Sequence, residues 1–340
     1  MAQPSSTTTA TAAIRNPRIL GGITLAALAA VIILPVVLPS ATLATEIVIF
    51  AMAALACNLL LGYTGLLSFG QAIFFGTGAY LASLAMIHLD VGLIGALLIA
   101  GAGGALAAAL VGTLAIRRTG IYFVMLTLAF TQLAYFAAYT LSDWTGGDNG
   151  LLDVPRPPLA IAGIVLADLS SPLAFYGFVA AIYMAMFVGA RRIINSPFGS
   201  TLVAIRENTD RAAAVGYDTR QFKILAFTIS GALTGIAGAL YAMLLNFAPL
   251  SNIELPMSEN ILIMTIIGGT GSLLGSILGS AGIVLLGDWL SAIWPRWHLL
   301  LGVALIAVVI VMRGGLWGGI EGLIDRWRQR RGGSRAEDRP

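Results

Sequence analysis

Apolar runs of about 20 residues recur along most of this chain, and a membrane helix needs about that length. Ten runs qualify as spans: 19–38, 43–61, 66–87, 91–116, 121–141, 172–190, 222–247, 261–269, 273–290 and 299–312. Composition agrees, because 58% of the 340 residues are hydrophobic and only 10% are charged. A soluble domain carries about 25% charged residues, so this chain cannot cover a globule with polar surface. Its 40 glycines suit helices that approach closely in lipid. The expected fold class is an all-α polytopic membrane protein with about ten transmembrane helices. Two runs are irregular. The eighth is too short to cross unless it borrows 257–260 or is a broken helix, and the third is polar near its start, at Ser68-Phe-Gly-Gln71.

Charge sets the expected orientation. With ten spans, all but two of the 19 Lys and Arg fall on one side, the exceptions being Arg156 and Arg296. Both termini are therefore expected in the cytoplasm. Residues 1–18 read as a disordered cytoplasmic N-terminus, 19–313 as the transmembrane domain and 314–340 as a basic cytoplasmic tail. Within the domain, 191–223 forms a long polar island that carries Arg191, Arg192, Arg206, Arg211, Arg220 and Lys223.

Enzymatic signatures are missing. The one lysine, Lys223, lies between Phe222 and Ile224, so no phosphate-binding loop ending in Gly-Lys-Ser/Thr exists. No H-E-x-x-H or G-x-S-x-G is present, and His88 and His298 are too scattered for a metal site. Ion-coupled carriers place ionisable groups near mid-membrane. The best candidate here, Glu46, falls only a few residues into its span. The chain reads as a non-enzyme that binds no cofactor of its own and takes its energy from elsewhere.

The polar island reads as short helices. Pro197 suits a first helical position, Thr209 an N-cap, and Gly216 a C-terminal cap. Helices this short are marginal alone and need a surface to dock on. Glycines at 62, 65, 70 and 78 interrupt two spans and bring Ser68 and Gln71 to membrane depth. Broken helices at that depth often line a substrate path, and close glycine packing explains the same pattern. Gly271, Gly275 and Gly279 recur at four-residue spacing, a packing pattern. The opening of 268–275, GGTGSLLG, weakly echoes GYTGLLSFG at 62–70. Thr127 is a further polar group within an apolar span.

Together these pieces resemble the LivM-type permease subunit of ABC importers for branched-chain amino acids. The resemblance runs from about residue 44 to 312. It rests on GYTGLLSFGQ at 62–71 with Gly78-Ala-Tyr80, on Tyr122-Phe123 with Thr127-Leu-Ala-Phe130, and on TGGDNG at 145–150. It continues through Ile205-Arg-Glu-Asn208, Ala212-Ala-Ala-Val-Gly216 and Lys223. It implies a homologous second permease, two cytoplasmic ATPase subunits that hold ATP and Mg, an external solute-binding protein, and a place in the bacterial inner membrane. It makes Arg206, Glu207, Asn208, Arg211, Ala213 and Gly216 the expected ATPase-coupling residues. Ser68, Gln71 and Thr127 are the expected substrate path, and Gly62, Gly65, Gly70, Gly78, Gly271, Gly275 and Gly279 the packing or hinge glycines. The same family includes permeases for urea, short amides and aromatic acids. A stand-alone channel or ion-coupled carrier, or a membrane anchor, are the rival classes.

Overall fold

The computed structural model describes residues 17–161, 164–293, 299, 302–303 and 315–319. The tenth expected span, most of the basic tail, and 1–16 lie outside the described residues. The chain is built of helices: α1 (Pro17–Val37), α2 (Ala41–Thr64), α3 (Gln71–Leu89), α4 (Leu93–Ala115), α5 (Ile121–Thr140) and a short α6 (Ser142–Thr145). They are followed by α7 (Pro172–Ile194), α8 (Pro197–Glu207), α9 (Thr209–Ala214), α10 (Thr219–Leu245), α11 (Leu255–Gly268) and α12 (Gly275–Ile293). One departure from an all-helical chain is a small antiparallel hairpin in the long 146–171 connection, where Leu159–Ile161 pairs with Ile164–Ala167.

Among the described residues, seven helices are long and apolar enough to cross a membrane: α2, α3, α4, α5, α7, α10 and α12. The chain is therefore a multi-pass membrane protein. Lipid-facing and core-facing helices differ sharply in burial. The α2 helix is almost wholly enclosed, with Ile47, Ile49, Met52, Leu55 and Leu59 at 0% exposure. The α4 and α5 helices turn Leu98, Leu106, Met125, Leu133 and Phe136 outward, each more than 60% exposed, as expected of side chains whose solvent is hydrocarbon.

Glycine sets the closest crossings. The α10 helix packs along α4 in antiparallel register, Gly231 against Gly104 and Gly235 against Ala100. A Cβ at Gly78 of α3 would run into the Gly235 carbonyl at the middle of α10. The backbone at these crossings leaves no room for a side chain, as small-residue packing in lipid predicts.

The short eighth run has a definite form. The α11 helix has 14 residues, about 21 Å of rise against a hydrocarbon core of about 30 Å, so it cannot cross alone. After α10 the chain pairs at Ala248 with Leu151, then dips inward through a 3-10 turn, Leu250–Ile253. Ile253 packs directly on the Gly76 backbone of α3, two residues before the Gly78 crossing. The turn thus reaches the depth of the middle of α10, and α11 starts there.

Candidate functional site

At the end of the molecule that carries Arg117, Arg191 and Arg220, α8 and α9 form an elbow. Ser196 accepts a hydrogen bond from Gly199 N and Pro197 takes the first helical turn, as the sequence predicts. The cap of α9 differs from expectation. Asn208, not Thr209, is the N-cap: its backbone is extended and its Oδ1 accepts from Arg211 N at 2.8 Å. The Thr209 hydroxyl donates instead to the Ile205 carbonyl at 3.0 Å and accepts from Lys223 Nζ at 3.3 Å. The single lysine therefore ties the start of α10 to the elbow. Gly216 follows the helix end at φ +102°, a conformation that suits glycine.

All six expected coupling residues, Arg206, Glu207, Asn208, Arg211, Ala213 and Gly216, are exposed on this elbow. Val215 is 74% and Tyr217 46% exposed beside them. Arg206 faces inward at its tip. Its Nη1 donates to the Gly62 carbonyl, and its stem packs against Gly65. The elbow is thereby bonded to the end of α2.

That point is where the two glycine-rich segments meet. The α2 helix ends in Gly65 at φ +70°, with Leu66 N bonding back to the Leu60 carbonyl. The α11 helix ends at Gly268, and Gly271 follows at φ +86°. Asn58 Oδ1 accepts from Gly271 N at 2.8 Å, its Nδ2 donates to the Ser272 carbonyl at 2.6 Å, and Tyr63 OH donates to the Gly271 carbonyl at 2.7 Å. A Cβ on Gly62 would strike the Gly271 backbone. Gly275 and Gly279 pack α12 on α11 through the Gly268 and Met264 carbonyls. Asn58 and Arg206 thus tie the end of α2 to two segments that lie 214 and 144 residues away from it in sequence.

The residues expected on a substrate path are buried and bonded. Gln71 Oε1 accepts from Thr234 Oγ1 at 2.8 Å, and its Nε2 donates to Ser230 Oγ at 3.3 Å. Thr127 Oγ1 accepts from Phe69 N, while Thr131 donates to the Phe69 carbonyl. Ser68 Oγ accepts from Gly70 N. Thr127, Thr131 and Ser68 satisfy backbone groups freed between α2 and α3, while Gln71 is satisfied by two hydroxyls of α10.

At the opposite end of the helices, Arg156, one of the two charges outside the basic partition, has a specific task. Its guanidinium donates to the Met243 and Leu244 carbonyls, closing the C-terminus of α10, and stacks 4.4 Å over the Phe175 ring of α7. Burial pulls its pKa below the usual arginine value. TGGDNG forms a tight knot beside it, with Gly146, Gly147 and Gly150 all at positive φ and Thr145 Oγ1 donating to Leu141 at 2.9 Å. Glu46 lies near the same end, within electrostatic range of Tyr241 and Asp288. Among the described residues, no group of three His, Cys, Asp or Glu is placed to hold a metal.

Comparison with known proteins places the chain. Residues 40–310 match the family model for the branched-chain amino acid transport system / permease component. The chain belongs to that family. It is 28% identical over 295 residues to the high-affinity branched-chain amino acid transport system permease protein LivM of Escherichia coli, covering 81% of this chain and 69% of that one. The LivM protein of Salmonella typhimurium is 27% identical over 82% of this chain and 69% of its own length. A shorter match, 31% identical over 40% of this chain and 39% of the relative, is to the autoinducer 2 import system permease protein LsrC of Klebsiella pneumoniae. No solved structure matches.

The matched region spans both glycine breaks, the elbow and the TGGDNG knot. Sequence reasoning missed Asn58, Tyr63 and Arg156. Arg156 had a signal, its isolation from the basic partition. Asn58 had only its place next to the apolar run before Gly62.

Proposed function

We propose that this chain is the membrane-spanning permease subunit of an ATP-driven importer. It carries branched-chain or other hydrophobic amino acids across the bacterial inner membrane by alternating access. Both termini lie in the cytoplasm in this reading. The chain pairs with a homologous permease, two ATPase subunits that bind ATP and Mg, and an external solute-binding protein. The observation that carries the reading is the elbow. A short exposed helix pair, one arginine of which is bonded to the end of the central helix, is a lever arm as well as a docking surface.

In this mechanism, ATPase closure moves α8 and α9 against the membrane. Arg206 passes the displacement to Gly62, where α2, α11 and their breaks meet. Gly62, Gly65 and Gly271 are then the points about which the spans swing. Ser68, Gln71 and Thr127 border the first break; Ser68 and Thr127 keep its polar backbone satisfied while it shifts, and Gln71 ties it to α10. Arg206→Ala is expected to leave the protein in the membrane while lowering leucine uptake on the order of tenfold, the loss of a charge-assisted bond. Normal uptake by that variant, at equal membrane levels, removes the lever. Uptake of urea, acetamide or benzoate in place of leucine by the wild type replaces the substrate class and leaves the lever intact.

A further inference from the structure

The dip before α11 brings polar groups to membrane depth that the fold itself does not use. Asn252 is 0% exposed, lies in the 3-10 turn between α3, α5 and α11, and neither atom of its amide has a hydrogen-bond partner. Tyr80 is 5% exposed and its hydroxyl is also unpartnered. Tyr80 lies one helical turn beyond Gly76, the residue on which Ile253 packs, so the same face of α3 meets the turn. Three of the five buried side-chain polar atoms left unbonded among the described residues therefore border one contact.

Two further features lie there. The N-terminus of α11 has no side-chain cap, and its N-cap residue is Glu254, within electrostatic range of Tyr80. The start of α3 is different: its Ala72 N is already bonded to Ser258 Oγ at 2.8 Å. A buried amide without a partner costs free energy comparable to a lost hydrogen bond on each atom. A helix N-terminus attracts an anion, and half-helices that begin at mid-membrane serve this purpose in other transport folds.

We propose that the turn at 252–254, with Tyr80 opposite, is a binding station for the zwitterionic head of an α-amino acid in transit. The α-carboxylate sits near the start of α11, where Pro256 has no N–H and Met257 N already bonds the Glu254 carbonyl, and so takes its hydrogen bonds from Asn252 Nδ2 and Tyr80 OH. The α-ammonium donates to the Glu254 carboxylate and Asn252 Oδ1. An amide carries its donor and its acceptor on two separate atoms, so it serves both poles at once without adding net charge. The helix end and Glu254 supply opposite signs in the same order as the ligand. This assignment rests on the amino-acid reading above and names the residues that read the head group.

The test uses cells that carry the full chain with its native partner subunits, and tritiated leucine as probe. Asn252→Leu keeps the branched outline of the side chain and removes both unbonded polar atoms. It is expected to raise the melting temperature of the purified assembly while cutting the leucine uptake rate on the order of tenfold, at equal membrane levels. Tyr80→Phe, which removes one oxygen, is expected to lower uptake several-fold with no loss of stability. Unchanged uptake in both variants overturns the station. A lower melting temperature in both variants overturns it too, because the polar groups are then partnered in the resting protein. No leucine uptake by the wild type, with uptake of another solute, overturns the amino-acid reading itself and the station with it.

Discussion

The break after α2 and the break after α11 open alike, GYTG at 62–65 and GGTG at 268–271, and they hold the fold by different means. In both, the first glycine is packed against another backbone and the last takes a left-handed conformation: Gly62 lies on Gly271 and Gly268 on Gly275, with Gly65 at φ +70° and Gly271 at φ +86°. The difference lies between them. The first segment carries Tyr63, and Asn58 one turn earlier, and both reach across to the second. The second carries Gly269 in place of the tyrosine and offers only backbone groups. One break is a clamp and the other its anvil. A faint sequence echo therefore marks shared backbone geometry, while the side chains around it assign the roles.

Four substitutions probe that asymmetry. The largest effect is expected from Gly62→Ala, whose Cβ has no space against the Gly271 backbone. Overpacking of this kind costs about 3 kcal/mol where nothing can yield. It should lower the melting temperature of the detergent-purified protein more than any other change at the breaks. Asn58→Leu follows, at about 2–3 kcal/mol, because it strands Gly271 N and the Ser272 carbonyl together. An effect of Asn58→Leu no larger than that of a lipid-facing swap such as Leu106→Met would show that the clamp carries no stability.

Gly271→Ala comes next. Space around it is open, with only the Gly62 carbonyl oxygen at 3.9 Å, so the expected cost of about 1–2 kcal/mol is conformational and comes from its positive φ. If Gly271→Ala proves as damaging as Gly62→Ala, steric contact is not what separates the two breaks. Tyr63→Phe is the mildest, about 1 kcal/mol for one hydrogen bond. Thermal unfolding of the Asn58→Leu and Tyr63→Phe single and double variants would show whether the two bonds act as one unit, since coupled groups give non-additive losses.

Much of this architecture was legible from the residues. Among the described residues, seven of the ten apolar runs coincide to within about five residues with helices long and apolar enough to cross a membrane, because burial in lipid demands an unbroken apolar helix. The elbow was legible because Pro197 and Gly216 are specific end signals. Its inner cap was not, since Asn208 and Thr209 are both good capping residues and only backbone conformation chooses between them. The shortness of the eighth run was plain. That the chain first dips through 250–253 was not, because a 3-10 turn held by Gly76 of another helix leaves no periodic trace. Ser68, Gln71 and Thr127 stood out as polar atoms in apolar runs, but their partners, Ser230, Thr234 and the Phe69 backbone, come from distant elements.

Composition, run length and end signals are properties of neighbouring residues. They alone determined that this chain is a helical membrane protein, roughly where most of its long helices lie, and that a basic helical elbow interrupts it. Which glycines touch, which carbonyl Arg206 holds, and which buried polar groups remain unbonded depend on residues brought together from far along the chain. Those facts exist only once the helices have packed, because lipid offers polar atoms no partner and the folded protein alone supplies one or withholds it.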